Sequence, residues 1–340
     1  MKQTIVDNLL KRSILFSFII ISIISCSKEE VKYQKLQGNV FGTTFHIQYF
    51  DTINNNYSAE ITSLFDEMNN SLSTYHNHSS ISQLNDGLSV LKVDSNFINV
   101  FKLSKKVFKE TDGYFDPTVG KMVNAWGFGP HKSNRDPSKQ EIDSLMQYVG
   151  FDKVSLKRDT IVKQSSNITF DFNATAKGYG VDLVGEFLEK KGIKNYLIEI
   201  GGEIRARGKN EHGKYWSIGI EEPNFDGTRS LQKVTTLKNE AIATSGNYRK
   251  FRIDSITGQK IAHTFNPKTG SPAQTDLLSV SVIAPVSCGE VDAYATAFMA
   301  MGYDKAKSLA AKHKNMKVYF IYIENDQLKT YASDQLEFIE

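Results

Sequence analysis

Apolar residues recur along this chain at two different spacings, and segments of the two kinds follow one another without a fixed order. Residues 38–50 alternate between apolar and polar positions, as expected of a strand. Residues 58–72 and 96–111 instead place apolar side chains three to four positions apart, as one face of a helix requires. This mixture predicts an α+β fold, because regular alternation of strands and helices would be expected of a parallel sheet.

The same two patterns predict further elements in the rest of the chain. Helices are expected over 138–149, 174–191, 289–301 and 305–313, and strands over 151–156, 168–172, 196–200, 203–208, 216–220, 231–237, 241–243, 278–284 and 318–322, the last of which would close the chain. No repeat and no linker rich in Pro, Gly or Ser interrupts residues 37–340. We therefore predict one large domain over that range.

The amino-terminal segment differs in composition from the rest. Basic residues precede an apolar run over 14–24, which is about half as long as the ~20 residues of a membrane-spanning helix, and Cys26 follows. This order predicts a secretory signal peptide over 1–25. Cys26 stands where a lipobox has its acylated cysteine, so we expect a lipidated tether over 26–36; a plain signal peptide with an incidental cysteine is the alternative. The chain would then be exported and membrane-anchored, facing the periplasm or the cell exterior.

Charge and cysteine content exclude several classes of partner and bond. Loss of the signal peptide would lower the basic residues from 41 to 38 and the acidic residues from 38 to 37, which leaves the chain nearly neutral. Such a balance predicts no nucleic-acid partner. Besides Cys26 the chain has only Cys288, which excludes an intramolecular disulfide, so core burial has to stabilise the fold.

A carboxylate and a hydroxyl stand four positions apart in the predicted helix 289–301. Asp292 and Thr296 would share one helix face, where two hard oxygens suit Mg²⁺ or Ca²⁺. The apolar surroundings disfavour a buried carboxylate that has neither a partner nor a metal. The spacing alone favours a structural alternative, which is more common: the Asp is stabilised near the helix start, and the Thr hydroxyl bonds to a preceding carbonyl.

Other segments contain residue types that bind phosphate, move protons or stack on rings. Lys177 lies near the start of a predicted helix, where amides and an ammonium group can bind phosphate oxygens, although Asp171 could simply cap that helix. His263 precedes a turn and could accept a proton from a hydroxyl, although a lone histidine is more often structural. The aromatic, glycine-rich segments 111–120 and 126–130 could stack on a planar ligand or fill the core.

Taken in order, nine segments of the chain resemble one known family. They are FGTTF (41–45), LSTY (72–75), DGYFDPTVG (112–120), WGFGP (126–130), DFNATAKGYGVD (171–182), EIGGEIRARG (199–208), AIATSGNYRKF (241–251), HTFNPKTGSP (263–272) and VDAYATAFMAMG (291–302). The series, which spans about residues 38–325, and the lipobox resemble the ApbE family of FAD:protein FMN transferases, long labelled thiamine-biosynthesis lipoproteins.

The resemblance implies a reaction and a fold. FAD would be the substrate, and with Mg²⁺ a Thr or Ser hydroxyl of a target protein would attack its FMN-side phosphorus, so that AMP leaves and FMN stays attached through a phosphoester. The expected partners are acceptor flavoprotein subunits of extracytoplasmic redox complexes. The expected fold is a T-fold-like arrangement of mixed or antiparallel sheets flanked by helices.

The resemblance also implies roles for single residues. The metal ligands would be Asp292, Thr296 and the main-chain oxygen of Ala174, and His263 and Asp292 would be catalytic. The FAD contacts would be Phe41, Tyr75, Tyr114, Phe115, Asp116, Asp171, Lys177 and Phe265. Phe41 departs from the family, in which many members have Met there, but it offers similar apolar bulk. The ordered set thus favours the functional interpretation of residues that are ambiguous singly.

Two other functions fit parts of the same pattern. With water as the acceptor, the same site would give an FAD pyrophosphatase that releases FMN and AMP. A flavin-binding lipoprotein without turnover would not need His263 or the pair of Asp292 and Thr296.

Overall fold

The computed structural model describes residues 32–130, 133, 135–223, 230–247, 251–253 and 260–339. The predicted signal peptide and Cys26 lie outside this range. In the described part of the chain, no helix combines the length and the apolar content that a bilayer crossing requires.

The described elements are mostly short. The helices are α1 (Ser58–Leu72), α2 (Ser80–Asn85), α3 (Ser95–Glu110), α4 (Gly120–Ala125), α5 (Lys139–Met146), α6 (Asn173–Lys190), α7 (Cys288–Met301) and α8 (Tyr303–Ala310). The strands are β1 (Lys32–Val40), β2 (Thr43–Asp51), β3 (Val90–Lys92), β4 (Val154–Lys157), β5 (Thr160–Lys163), β6 (Tyr196–Ile200), β7 (Glu203–Arg207), β8 (Trp216–Glu221), β9 (Leu231–Leu237), β10 (Ala241–Gly246), β11 (Phe251–Ile253), β12 (Lys260–Ala262), β13 (Phe265–Asn266), β14 (Ser271–Pro272), β15 (Leu277–Ala284), β16 (Lys317–Glu324), β17 (Gln327–Ala332) and β18 (Phe338–Ile339).

Eight strands form the main sheet, in the order β1-β2-β6-β7-β10-β15-β16-β17. Every neighbouring pair in it is antiparallel. Two three-stranded sheets (β18-β9-β8 and β3-β5-β4) and two hairpins (β11-β12 and β13-β14) complete the strands. The predicted α+β fold with antiparallel sheets and flanking helices is therefore confirmed.

The main sheet separates two hydrophobic cores, and a third core lies beside it. On one face, α6, α7 and α1 pack against residues such as Ile198, Ala243 and Val282. On the other face, Ile242 and Ile283 pack against the sheet β18-β9-β8. The third core joins α1, α2 and α3 to the sheet β3-β5-β4. This arrangement buries α7, which contains Asp292 and Thr296, against the sheet.

Three predictions about strands are wrong, and two of them have a clear physical cause. The predicted strand 38–50 is a hairpin, because Phe41 (φ 50°) and Gly42 (φ 73°) both adopt the left-handed conformation of a two-residue turn. No strand forms over 168–172, because the Asn85 side chain bonds both the amide and the carbonyl of Phe170, as a partner strand otherwise would. β16 does not close the chain, since β17 and β18 follow it.

The predicted tether is also too long. Residues 32–36, which the sequence places in it, belong to strand β1 and pair with β2. β1 is an edge strand, and its polar, partly exposed side chains are typical of sheet edges that avoid pairing with other chains. The polarity that resembles a tether is therefore the polarity of an edge strand.

Candidate active site

Helices α6 and α7 contact each other through their backbones. A Cβ atom at position 178 would lie 2.4 Å from the carbonyl oxygen of Cys288, so only glycine fits there. Close by, Thr175 Oγ1 donates a hydrogen bond to the carbonyl oxygen of Gly289 (2.9 Å). The two helices therefore have a fixed separation at the turn that precedes Asp292.

The buried carboxylate of Asp182 anchors the start of α7. It accepts hydrogen bonds from the amides of Cys288 and Gly289, both at 2.9 Å, which are among the amides that a helix start leaves without helical partners. Arg205 donates to the same carboxylate (3.0 Å). Burial raises the pKa of Asp182 to about 6, although these hydrogen bonds and Arg205 lower it. α7 is thus attached to both α6 and β7.

Asp292 lies one turn into α7 and is 4% exposed. Its Oδ2 accepts a hydrogen bond from the amide of Gly178 (3.2 Å). Helical register makes the carbonyl of Ala174 the acceptor for the same amide, four residues earlier in α6. Ala174 therefore lies on the turn of α6 whose Gly178 amide the carboxylate of Asp292 contacts. Thr296, one turn further along α7, has its Oγ1 3.3 Å from Ser245 Oγ on β10.

Lys177 is shared between two buried carboxylates. Its Nζ lies 2.6 Å from Glu203 Oε2, and it also interacts electrostatically with Asp292. Burial opposes a charge on Lys177, but the two acids outweigh this effect and raise its pKa. Burial likewise raises the pKa of Asp292 and, to about 7, that of Glu203, and Lys177 offsets only part of that rise.

This distribution of charge fits a bound cation. Two buried carboxylates face one ammonium group, and buried charges need partners. The carboxylate of Asp292, the hydroxyl of Thr296 and the carbonyl of Ala174 are hard oxygen donors of the kind that Mg²⁺ and Ca²⁺ bind. Among the described residues, no group of three or more His, Cys, Asp or Glu side chains could hold a metal ion. Of the three donors named above, only Asp292 belongs to these four residue types. The other two ligands would be a hydroxyl and a main-chain oxygen.

The turn between β1 and β2 lies beside Lys177. A Cβ atom at Gly201 would approach Thr43 Cγ2 to 2.8 Å and Lys177 Cδ to 3.3 Å, so the start of β2 and the turn before β7 both adjoin the lysine. Phe41 is partly buried, and its ring packs edge-on against Phe65 with the centroids 5.5 Å apart. Phe41 has a positive φ, which is a strained conformation for a bulky residue.

Aromatic side chains form a second part of the site. The ring of Phe265 lies 5.9 Å from that of Phe128 and 6.4 Å from that of Trp126, and Phe128 in turn lies 6.5 Å from His263. Trp126 Nε1 donates to the carbonyl of Gly270 (3.0 Å), which holds the 126–130 segment against the loop after β13. Because β13 packs on α7, these rings adjoin the helix that contains Asp292.

Two tyrosines are among the predicted FAD contacts, and Tyr75 is exposed whereas Tyr114 is partly buried. Tyr75 is 67% exposed, directly after α1. Lys305 Nζ donates to the hydroxyl of Tyr114 (2.6 Å), and Lys268 Nζ lies 4.8 Å from the centre of its ring. Lys268 is also paired with Asp112 (2.6 Å). Tyr114 is therefore surrounded by positive charge.

The remaining predicted contacts are buried or hydrogen-bonded to other parts of the protein. Asp116 is buried, and its oxygens accept hydrogen bonds from the amide and hydroxyl of Thr118 and from the amide of Phe151. Phe115 is 4% exposed. Asp171 Oδ1 accepts a hydrogen bond from the amide of Asn173 (2.7 Å) at the start of α6. Asp116 therefore joins its own loop to the segment that contains Phe151, whereas the described hydrogen bond of Asp171 is local.

The order of these features along the chain is that of a known family. The family model described as ApbE family matches residues 41–320, which includes every part of the site described above.

The chain belongs to the ApbE family.

Individual relatives cover almost the whole chain. The FAD:protein FMN transferase of Haemophilus influenzae is 36% identical over 326 residues, which are 92% of this chain and 93% of that protein. The corresponding protein of Escherichia coli is 32% identical over 313 residues, with 89% and 88% covered. Among solved structures, the flavin transferase ApbE from Vibrio cholerae has a TM-score of 0.80 at 33% identity and covers 89% of this chain and 98% of its own. The apo form of the Pseudomonas stutzeri flavinyl transferase ApbE has a TM-score of 0.80 at 28% identity, with 89% and 95% covered.

Four residues of this ApbE-family site were not singled out from the sequence. They are Asp182, Glu203, Arg205 and Ser245, each within a segment that carries the resemblance. Asp182 could have been singled out from the sequence, because it is an acidic residue in the middle of a predicted helix, between the apolar residues Val181 and Leu183. Ser245 offered none, since a serine at the end of a strand is ordinary until its neighbour in space is known.

Proposed function

We propose that this chain is an FAD:protein FMN transferase that requires a divalent cation. The observation that carries the proposal is the pair of buried carboxyl groups of Asp292 and Glu203, which lie beside the single ammonium group of Lys177 in a member of the ApbE family. The Haemophilus influenzae relative bears the same enzyme name.

In the proposed reaction, the oxygen of a Thr or Ser hydroxyl on an acceptor protein bonds to the FMN-side phosphorus of FAD. The bond from that phosphorus to the bridging oxygen breaks, and AMP leaves with the bridging oxygen. The hydroxyl proton passes to a base, and FMN stays on the acceptor as a phosphoester. Transfer of this kind depends mainly on positioning and on neutralisation of charge.

Asp292, Thr296 and the main-chain oxygen of Ala174 would hold the cation, which we propose to be Mg²⁺. When bound there, it would neutralise charge on the diphosphate of FAD. Lys177 would supply a second positive charge, since its ammonium group interacts with Asp292 and its side chain is partly exposed. Glu203 keeps that ammonium group charged and in place.

His263 is the proposed base. It directly follows β12, is partly buried, and has its ring beside Phe128. A neutral imidazole accepts a proton at physiological pH, and a positioned base contributes about 10²- to 10⁴-fold to such a step. His263→Ala is therefore expected to keep FAD binding and to lose transfer.

The rings of Tyr75, Phe41, Tyr114 and Phe265 are the proposed apolar contacts of FAD. Stacking on flat rings suits both the flavin and the adenine. For Phe115, Asp116 and Asp171 the proposed contribution is to shape the loops around FAD, because these residues are buried or hydrogen-bonded to other groups of the protein.

The decisive experiment incubates the full-length protein with FAD, Mg²⁺ and an extracytoplasmic flavoprotein subunit, followed by mass spectrometry of the subunit. An added FMN mass with release of AMP is expected, with none after chelation of the cation or with Asp292→Ala. Release of free FMN without modification of the subunit would instead indicate an FAD pyrophosphatase. Binding of FAD with no AMP at all would indicate a flavin carrier.

We also propose that the chain is exported and anchored through a lipid on Cys26, where the sequence has a lipobox. Acceptors would then be subunits of redox complexes outside the cytoplasm. Labelling with a palmitate analogue is expected for the native chain and not for Cys26→Ala. Equal labelling of both would contradict the lipobox interpretation.

A further inference from the structure

Ser245 occupies the end of β10, directly across from Thr296. Its Oγ lies 3.3 Å from Thr296 Oγ1, and both side chains are partly buried. We infer that Ser245 is a positioning residue that orients the Thr296 hydroxyl toward the bound cation. The inference rests on the proposed function, in which that hydroxyl is a ligand.

The sheet fixes the place of Ser245. β10 is paired with β15 on one side and with β7 on the other, and Ser245 stands opposite Val280 in the register with β15. Alternate residues of β10 face α7: Ala241 and Ala243 belong to the core that contains this helix. Ser245 continues the same row, and β15 holds β10 in register at this position, whereas the pairing with β7 covers Ala241 and Ile242.

The described hydrogen bond of Thr296 Oγ1 crosses to another element, as that of Thr175 does, whereas two other threonines bond back to a preceding helical turn. Thr62 and Thr111 donate to the carbonyl four residues earlier, at 2.8 and 2.7 Å. This back-bonding is common for threonine in helices. Among the described residues, the hydrogen-bond partner of Thr296 Oγ1 is instead Ser245 Oγ.

The chemistry of a hydroxyl then sets the direction of this bond. A threonine hydroxyl has one proton to donate and two lone pairs. A cation on one lone pair repels the proton, which must point to an acceptor on the other side. Ser245 Oγ is that acceptor, so Thr296 donates to Ser245 and keeps a lone pair directed at the cation. Partners of this kind typically alter metal affinity by about 10- to 100-fold when removed.

The test measures cation binding apart from turnover. Mn²⁺ is titrated into full-length protein saturated with FAD, and the free ion is followed by electron paramagnetic resonance against an FAD blank. Ser245→Ala is expected to weaken Mn²⁺ binding about 10- to 100-fold. Ser245→Thr, which restores a hydroxyl, is expected to recover most of the affinity.

The matched control is the other hydroxyl pair of the same strand. Thr244 Oγ1 lies 2.8 Å from Ser281 Oγ, and Thr244 points to the opposite face of the sheet from Ser245. Thr244→Val removes a hydroxyl from β10 without touching α7, so Mn²⁺ affinity should be unchanged. Thermal unfolding of each variant checks that the sheet is intact.

A double-mutant cycle separates positioning from direct ligation. In a Thr296→Val background, Ser245→Ala is expected to cause no further loss of Mn²⁺ affinity, because Ser245 acts through the Thr296 hydroxyl. A full further loss would show that Ser245 binds the cation independently and would overturn the inference, as would native affinity in Ser245→Ala alone. If the native protein with FAD bound no Mn²⁺, the cation of the proposed function would fail first, and the inference with it.

Discussion

Lys177 Nζ lies 2.6 Å from Glu203 Oε2 and also acts on the carboxylate of Asp292, so that one ammonium group serves two buried acids. The three residues come from α6, β7 and α7, and the backbone contact at Gly178 holds the two helices together. A region with this charge balance favours the binding of a cation over the binding of an anion alone. The first two predictions follow from it.

Asp292→Asn is expected to remove cation binding without destabilising the protein in the absence of cation. The substitution takes away a buried charge that is only partly compensated, and an amide of the same shape can still accept the bond from Gly178. Added Mg²⁺ should raise the Tm of the native protein and leave that of the variant unchanged, as measured by differential scanning fluorimetry. Equal stabilisation of both by Mg²⁺ would place the cation elsewhere.

Lys177→Met is expected to lower the free energy of unfolding by about 2–3 kcal/mol. This is less than the ~3–5 kcal/mol for breaking a fully buried pair, because about a third of the Lys177 side chain is exposed (33%). Adding Glu203→Gln should recover part of the lost stability, since a neutral amide then replaces the carboxylate that Lys177→Met leaves without its partner. Urea denaturation of the two single variants and the double variant measures this coupling; additive losses would mean that the two residues do not interact.

Lys163 is expected to make the free energy of unfolding depend on pH. Its buried ammonium group donates to the carbonyls of Leu84, Ser166 and Ile168, and burial lowers its pKa from 10.5 to about 8. Between these values the unfolded chain binds more protons than the folded one, so this group makes the protein more stable as pH rises from about 8 toward 10.5.

Lys163→Met is expected to flatten that rise and to cost about 1–3 kcal/mol, because carbonyls lose their donor. The measurement is the free energy of unfolding at several values of pH for both proteins. Lys139→Met is a suitable control, because Lys139 is exposed at the surface, where it pairs with Asp143. An unchanged slope in Lys163→Met would show that Lys163 does not titrate in this range.

Phe41→Asn is expected to remove the ring of Phe41 while keeping the turn between β1 and β2. Asn adopts the left-handed conformation readily, and Asn followed by Gly is a favoured pair for a two-residue hairpin, so the turn should persist. The ring packed on Phe65 is lost, and with it the proposed flavin contact. FAD titration should show weaker binding, whereas Phe41→Met, the residue common in the family, should bind FAD nearly as well as the native protein. Unaltered binding by Phe41→Asn would exclude the ring as a contact.

Sequence periodicity predicted the long elements well and the short ones poorly. α1 spans the predicted 58–72 because Ile61, Phe65, Met68 and Leu72 repeat at helical spacing and are all buried. α4 was not predicted, since six residues that begin with glycine contain too few turns for a period to show. The hairpin at Phe41 escaped prediction because the alternation of apolar residues continues through the turn.

The site was predictable where its residues share a segment and hidden where they do not. Asp292 and Thr296 lie four positions apart in one helix, so their common face can be deduced from the sequence. Glu203 and Ser245 reach Lys177 and Thr296 from separate strands, and only the register of the sheet brings them together. Pairing across such distances depends on the whole fold rather than on local pattern.

The absence of a side chain at Gly178 would affect which ion the proposed cation site selects. Because the backbones of α6 and α7 are in contact at Gly178, the proposed ligand oxygens of Ala174 and Asp292 would have little freedom to move apart or together. Oxygen ligands stand about 2.0–2.1 Å from Mg²⁺ and about 2.3–2.6 Å from Ca²⁺, and Mg²⁺ tolerates little distortion. At the proposed cation site, the fixed distance between the two helices would therefore favour the smaller Mg²⁺ over Ca²⁺.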